Sequence, residues 1–197
     1  FCLCRGVGEV YKIQIGWQHT IIKGAVEMSK VVVLHGSPRK NGKTEQLTDA
    51  VRKGAKSAGH EVTKFSVVDS KVNACLGCNH CMRNEGECVQ KDDMQPIYTA
   101  LHQADTVVFA TPVYYFSMTA QIKAIIDRMY ASIGKSFAIT SAALLVALEG
   151  DPEKDAAATV ATYHSIVNYV GWEDKGIVIA GGVGEKGDIE GKPELDE

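Results

Sequence analysis

No apolar run in this 197-residue chain approaches the roughly 18 residues needed to span a bilayer. The longest, 142–148, suits a buried strand. Neither sign of charge dominates: 21 Lys and Arg against 24 Asp and Glu leave a net charge of −3. Bulk attraction to nucleic acid or to an anionic membrane is therefore not expected, and neither of these is expected as a partner. Internal repeats and low-complexity tracts are missing, as is the basic-then-apolar order of a secretory leader. Cysteine is too sparse for a secreted disulfide scaffold, with six in the whole chain. What remains is ordinary for a globular domain: 45% hydrophobic and 23% charged residues. The length favours one domain.

The six cysteines are unevenly spread. Cys2 and Cys4 stand at the start, while Cys75, Cys78, Cys81 and Cys88 crowd one segment. Such clustering in an α/β chain points to metal or redox chemistry and to a reducing cytoplasm. Residues 1–27 show no sustained periodicity, and Met28 opens a clean strand. Lys23-Gly24-Ala25 can be encoded by a purine-rich stretch like a bacterial ribosome-binding site. The expectation is a non-native or disordered leader over 1–27 and a domain over 28–197, with Met28 as the natural start. The end, Pro193-Glu194-Leu195-Asp196-Glu197, reads as the first turn of a helix, so a closing helix is expected to be cut short.

Between the ends, strand and helix patterns alternate. Strands are expected at 31–35, 61–68, 106–110, 142–148 and 176–180, from short β-branched runs. Helices are expected at 44–58, 92–103 (capped by Asp92), 120–130 and 153–170, from apolar residues at helical spacing. Five apolar strands separated by helices imply a parallel, doubly wound α/β sheet in three layers. Ligands of such sheets bind at the carboxyl ends of the strands, where strand order reverses.

Two segments fall at those ends. The first strand runs into Gly36-Ser37-Pro38-Arg39-Lys40-Asn41-Gly42-Lys43-Thr44 and then a helix. Helix-start N–H groups favour an anion, the glycines permit close approach, and Ser37, Arg39, Asn41 and Thr44 add donors. A G-x-G-x-x-G fingerprint is absent. Five residues separate Gly36 from Gly42-Lys43-Thr44, one too many for a P-loop, so a P-loop-like nucleotide binder is disfavoured. The third strand ends in Thr111-Pro112-Val113-Tyr114-Tyr115-Phe116-Ser117-Met118. Three consecutive aromatics there suit either a flat ring system or a neighbouring subunit. Together the two segments describe a ligand with a phosphate at one end and an aromatic ring at the other.

Cys75-Leu76-Gly77-Cys78-Asn79-His80-Cys81 gives two successive two-residue gaps, and Cys88 follows after six more. Four thiolates so spaced can hold an iron–sulfur cubane. Structural zinc, a Cys75–Cys78 dithiol switch and plain reduced cysteines stay open on spacing alone. His80 reads as a bystander.

The 36–44 and 111–114 segments resemble the two signatures of the NADPH-dependent FMN reductase and iron–sulfur flavoprotein group, within the flavodoxin-like fold. The resemblance runs from about Ser29 to Ile189. It implies that Ser37, Arg39, Asn41, Gly42 and Thr44 hold the FMN phosphate. It places Pro112, Val113, Tyr114 and Tyr115 beside the isoalloxazine ring, with Phe116 and Gly150 as weaker contacts. The cysteine spacing is similar to the compact 4Fe-4S motif of iron–sulfur flavoproteins, with Cys75, Cys78, Cys81 and Cys88 as ligands. Lys43 departs from the family's usual Asn. The resemblance implies electron transfer from NAD(P)H through FMN to a quinone, a flavin or another small-molecule or protein acceptor, with no catalytic protein nucleophile or base, in a homodimer or homotetramer. A non-enzymatic flavodoxin-type carrier is the alternative.

Overall fold

A computed structural model describes residues 28–184 and 188–195. The expected leader at 1–27 lies outside the described residues. Five strands make the parallel sheet: β1 (Lys30–His35), β2 (Glu61–Ser66), β3 (Thr106–Tyr114), β5 (Ser141–Ala147) and β6 (Glu173–Ala180), ordered β2-β1-β3-β5-β6. A two-residue strand, β4 (Ser117–Met118), pairs back antiparallel onto β3. This is the flavodoxin-like order, with its switch point between β1 and β3.

The two faces are covered unequally. Helices α3 (Met94–Leu101), α4 (Ala120–Arg128) and α5 (Ala157–Val170) pack on one side, over Val32, Leu34, Val107, Phe109 and Leu144. Helix α1 (Lys43–Ser57) covers part of the other, where Val183, Ile189 and Leu195 also pack. A short helix, α2 (His80–Arg83), lies in the cysteine segment. Val31 to His35 of β1 are all buried, as a strand covered on both faces requires.

Some boundaries move, each for a local reason. β3 continues to Tyr114 instead of ending at 110, because Val113 and Tyr114 pair with Met118 and Ser117 in a hairpin. The helix expected from 153 starts at Ala157. Asp151 Oδ1 accepts the N–H groups of Glu153 and Lys154, and Asp155 Oδ2 accepts that of Asp151; these bonds hold a separate turn. The helix expected from 92 begins at Met94. The N-cap position falls to Asp93, which makes no side-chain cap bond, and not to Asp92 as expected; Asp92, one residue earlier, takes the Met94 N–H at 3.2 Å while its other contacts draw it elsewhere. The helix expected to run to 130 tightens into a 3₁₀ turn at Met129–Ile133.

One close approach positions the ligand end of the sheet. A Cβ built on Gly36 would lie 2.7 Å from Ile122 Cβ. Gly36 is thus required by the neighbouring helix, not by an unusual φ. Thr119, which caps α4 by accepting the Ile122 N–H, also donates its hydroxyl to Gly36 O at 2.7 Å. Ile122 and Ile125 are fully buried, and burying each such side chain contributes about 1.5–3 kcal/mol. Gly36→Ala should therefore overpack this contact and lower stability by about 1–3 kcal/mol in a urea unfolding curve. An unchanged midpoint would show that α4 does not press on the end of β1.

Candidate functional site

The carboxyl ends of β1, β3 and β5 lie side by side, so 36–44, 111–118 and Gly150 share one edge of the sheet. Gly36 N–H donates to Ala110 O at 2.7 Å, tying the first segment to β3. Ser37 is buried, and its Oγ accepts the Arg39 N–H at 3.3 Å, closing a small turn. Asn41 sits at φ +56°, a left-handed position that asparagine tolerates. Gly42 is the N-cap residue of α1 and supplies no side-chain cap. Among the described residues, no acceptor takes the N–H groups of Lys43 or Thr44. Open donors at a helix start, with Arg39 exposed beside them, make a fitting cradle for a phosphate. Lys43 neither joins this cradle nor points to solvent. Its Nζ donates to Gly184 O at 2.6 Å.

The aromatic segment is a hairpin. Tyr115 and Phe116 form its tip with φ of +48° and +67°. A two-residue hairpin needs this twist, and Asn-Gly is its usual solution. Bulky aromatics there are strained by about 1–2 kcal/mol each. Both are also turned outward, Tyr115 being 96% exposed and Phe116 61%. The Arg39 guanidinium carbon lies 6.0 Å from the Tyr114 ring centroid, so the cationic end of the first segment meets the aromatic end of the second. Gly150 follows β5 on the same edge but packs against the Asp155 carboxylate.

The cysteine segment is a built structure. Cys75, Cys78, Cys81 and Cys88 are free thiols that line one open hollow of about 380 Å³, solvent at its mouth included. His80, Tyr98, Arg128 and Tyr130 line it too. Among the described residues, no three His, Cys, Asp or Glu side chains are gathered to hold a metal ion. Cys81 O accepts the Gly86 N–H at 2.9 Å, and a Cβ on Gly134 would lie 2.2 Å from that same oxygen. The turn after Cys81 therefore rests directly on the backbone beyond α4.

Beneath the hollow lies an ion pair that sequence reasoning missed. Arg128, its side chain 1% exposed, grips Asp92 with two bonds of 2.9 and 3.1 Å, and donates to Asn73 O at 3.1 Å. Asp92 also accepts the Asn73 N–H at 2.9 Å. Both ends of the cysteine segment, at Asn73 and Met94, are thus tied to one carboxylate. Burial opposes ionisation of Asp92, but the Arg128 guanidinium and the two amides outweigh it and hold the carboxyl below its usual range. Burial pushes the neighbouring Tyr98 phenol up to about 12, and its hydroxyl donates to Arg128 O at 2.8 Å. A sequence signal existed: Arg128 stands three residues after buried Ile125, on the apolar stripe of α4.

A second unanticipated cluster sits under the first segment. His35 is fully buried, with Nδ1 3.2 Å from Thr48 Oγ1 and Nε2 3.2 Å from Glu45 Oε2. Glu45 also pairs with Lys64. Burial, reinforced by Lys64, lowers the His35 pKa despite Glu45 and Asp49.

Comparison with known proteins shows the family to which the chain is similar. Residues 29–172 match the NADPH-dependent FMN reductase family. An iron–sulfur flavoprotein of Archaeoglobus fulgidus is 44% identical over 100 residues, which are 51% of this chain and 45% of that protein. An iron–sulfur flavoprotein of Methanosarcina thermophila is 36% identical over 56% of this chain and 57% of its own length. The chain thus spans about half the length of the curated relatives it matches. Among solved structures, an NAD(P)H:quinone oxidoreductase from Methanothermobacter marburgensis superposes with TM-score 0.66 at 19% identity, covering 86% of this chain and 92% of that one. That likeness shows the fold. No helix among the described residues is long and apolar enough to cross a membrane.

The Asp92–Arg128 pair carries a pH signature. A carboxyl held below its unfolded pKa stabilises the fold above that pKa, and the gain is lost as pH falls through the folded value. Asp92→Asn strands a buried guanidinium and should cost about 3–5 kcal/mol at pH 7. In denaturant unfolding the gap between wild type and variant should narrow as pH drops below about 4. A gap independent of pH would contradict this role for Asp92.

Proposed function

This chain belongs to the NADPH-dependent FMN reductase family, and from that premise we propose that it is an FMN oxidoreductase drawing electrons from NAD(P)H. The observation that carries the reading is the meeting of two unlike surfaces at the switch point. Open helix-start donors beside Arg39 adjoin an aromatic hairpin whose Tyr114 ring faces that arginine. Ser37, Arg39, Asn41, Gly42 and Thr44 hold the phosphate of FMN. Pro112, Val113, Tyr114 and Tyr115 flank its ring, with Phe116 and Gly150 at the margins.

Bound FMN supplies hydride acceptance from a nicotinamide and one- or two-electron release, chemistry the side chains themselves do not provide. The protein's part is placement. The N–H groups of Lys43 and Thr44 meet negative charge at the positive end of α1. Arg39 adds a charge-assisted bond and closes over Tyr114. The strained tip holds Tyr115 and Phe116 outward, where they cover a ring or a neighbouring protomer of a homodimer or homotetramer. With Lys43 bound to Gly184 O, the lysine a P-loop aims at a nucleotide is occupied.

The same proposal gives the four cysteines a 4Fe-4S cluster. Four unpaired thiols on one hollow supply the full donor set, and a cubane spreads its thiolates more widely than a lone zinc ion does. The curated relatives that carry the iron–sulfur flavoprotein name support this reading over zinc or a dithiol switch. The acceptor belongs to the class of quinones, flavins or other small or protein electron acceptors.

Loaded with FMN under anaerobic conditions, the chain should lose its yellow flavin absorbance on addition of NADH or NADPH, and recover it with a quinone. Flavin that binds yet stays oxidised under either nicotinamide would instead mark an electron carrier. Arg39→Ala should raise the Kd for FMN about tenfold or more, since a bond to a charged group contributes roughly 1.5–3 kcal/mol. An unchanged Kd would remove Arg39 from the phosphate site.

A further inference from the structure

Arg128 presents a side-chain donor that no described residue takes within hydrogen-bond geometry. Its two terminal nitrogens are spent on Asp92 and on the Asn73 carbonyl. Its Nε, fully buried, has no hydrogen-bond partner among the described residues. A buried donor of a charged group without an acceptor is costly and signals a missing partner. The guanidinium lines the cysteine hollow together with Cys88 and Tyr98. The remaining wall at this corner is Tyr98, whose hydroxyl donates to Arg128 O.

We propose that Arg128 sets the electron affinity of the cluster, its Nε–H donating to a sulfur at the Cys88 corner. The inference rests on the cluster reading given above. The acceptor that Nε lacks arrives with the cluster, as a thiolate or an inorganic sulfide. Donation to cluster sulfur offsets the negative charge gained on reduction and so raises the reduction potential. Asp92 holds the guanidinium by its two terminal nitrogens, which prevents the side chain from swinging away. The pair therefore does two separable things: it ties down both ends of the loop, and it offers one N–H to what the loop holds.

Arg128→Lys separates the two. Lysine keeps a cation against Asp92 but has no Nε–H at that depth. Iron and sulfide content of the anaerobically reconstituted wild-type chain is read first. A wild-type chain that takes up no cluster overturns the cluster reading, and this inference with it. In cluster-loaded protein poised with dithionite, the variant should show about a tenfold higher ratio of oxidised to reduced cluster at a given potential. That is a midpoint lower by about 59 mV for a one-electron couple. A loaded variant with the wild-type midpoint overturns the inference alone, because a purely structural tie survives in lysine. Should the variant fail to fold or load, pulsed EPR of the reduced native cluster decides. With ¹⁵N-arginine, in an Arg83→Lys background that removes the arginine bonded to Cys78 O, a nitrogen coupling is expected, and its absence overturns the inference.

Discussion

The contact of α4 with the end of β1 governs this molecule. Ile122 presses on Gly36 so closely that no side chain fits between them, and Thr119 bonds the Gly36 carbonyl from the same helix start. The phosphate-type turn, the aromatic hairpin and the first turn of α4 are thereby fixed relative to one another. The hairpin can then hold two aromatics at positive φ, because buried isoleucines of α4 outweigh the strain. Gly36 looks in sequence like one glycine of an anion-binding turn. In the structure its smallness serves the helix, and the open helix-start donors belong to residues downstream.

The same helix carries the geometry to the cysteine segment. From Thr119 to Arg128, α4 advances about 1.5 Å per residue, so its first turn meets the ligand edge and its last residue lines the cysteine hollow. One rigid element thus sets both candidate redox sites. The cysteine segment, though mostly exposed, is pinned by one carboxylate at Asn73 and Met94 and by its seat on Gly134. This is the pre-organised support that a cofactor site on a loop requires.

Much of this was legible in the residues. The β-branched run of β1, the glycine- and hydroxyl-rich turn and the alternation of strand and helix predict the sheet and its ligand edge. The hairpin was not legible, because Tyr115-Phe116 carries none of the Asn-Gly signal that marks such turns. The partner of Lys43 was not either: Gly184 lies 141 residues away, beyond any local pattern. Asp92 reads in sequence as a helix cap, yet Asp93 holds that position and the main partner of Asp92 is Arg128, 36 residues on. Long-range polar contacts of this kind leave only a faint trace, here a charged residue on an apolar helix stripe.

The account stands on recognition of a phosphate and a ring together. The most direct measurement is a pair of fluorescence-quenching titrations of the chain, one with FMN and one with riboflavin, which has the same ring and no phosphate. Saturable one-to-one quenching of FMN, with riboflavin bound at least a hundredfold more weakly, is the predicted result; each lost charge-assisted bond contributes roughly 1.5–3 kcal/mol. Equal affinity for the two, or no quenching of FMN at all, would contradict it.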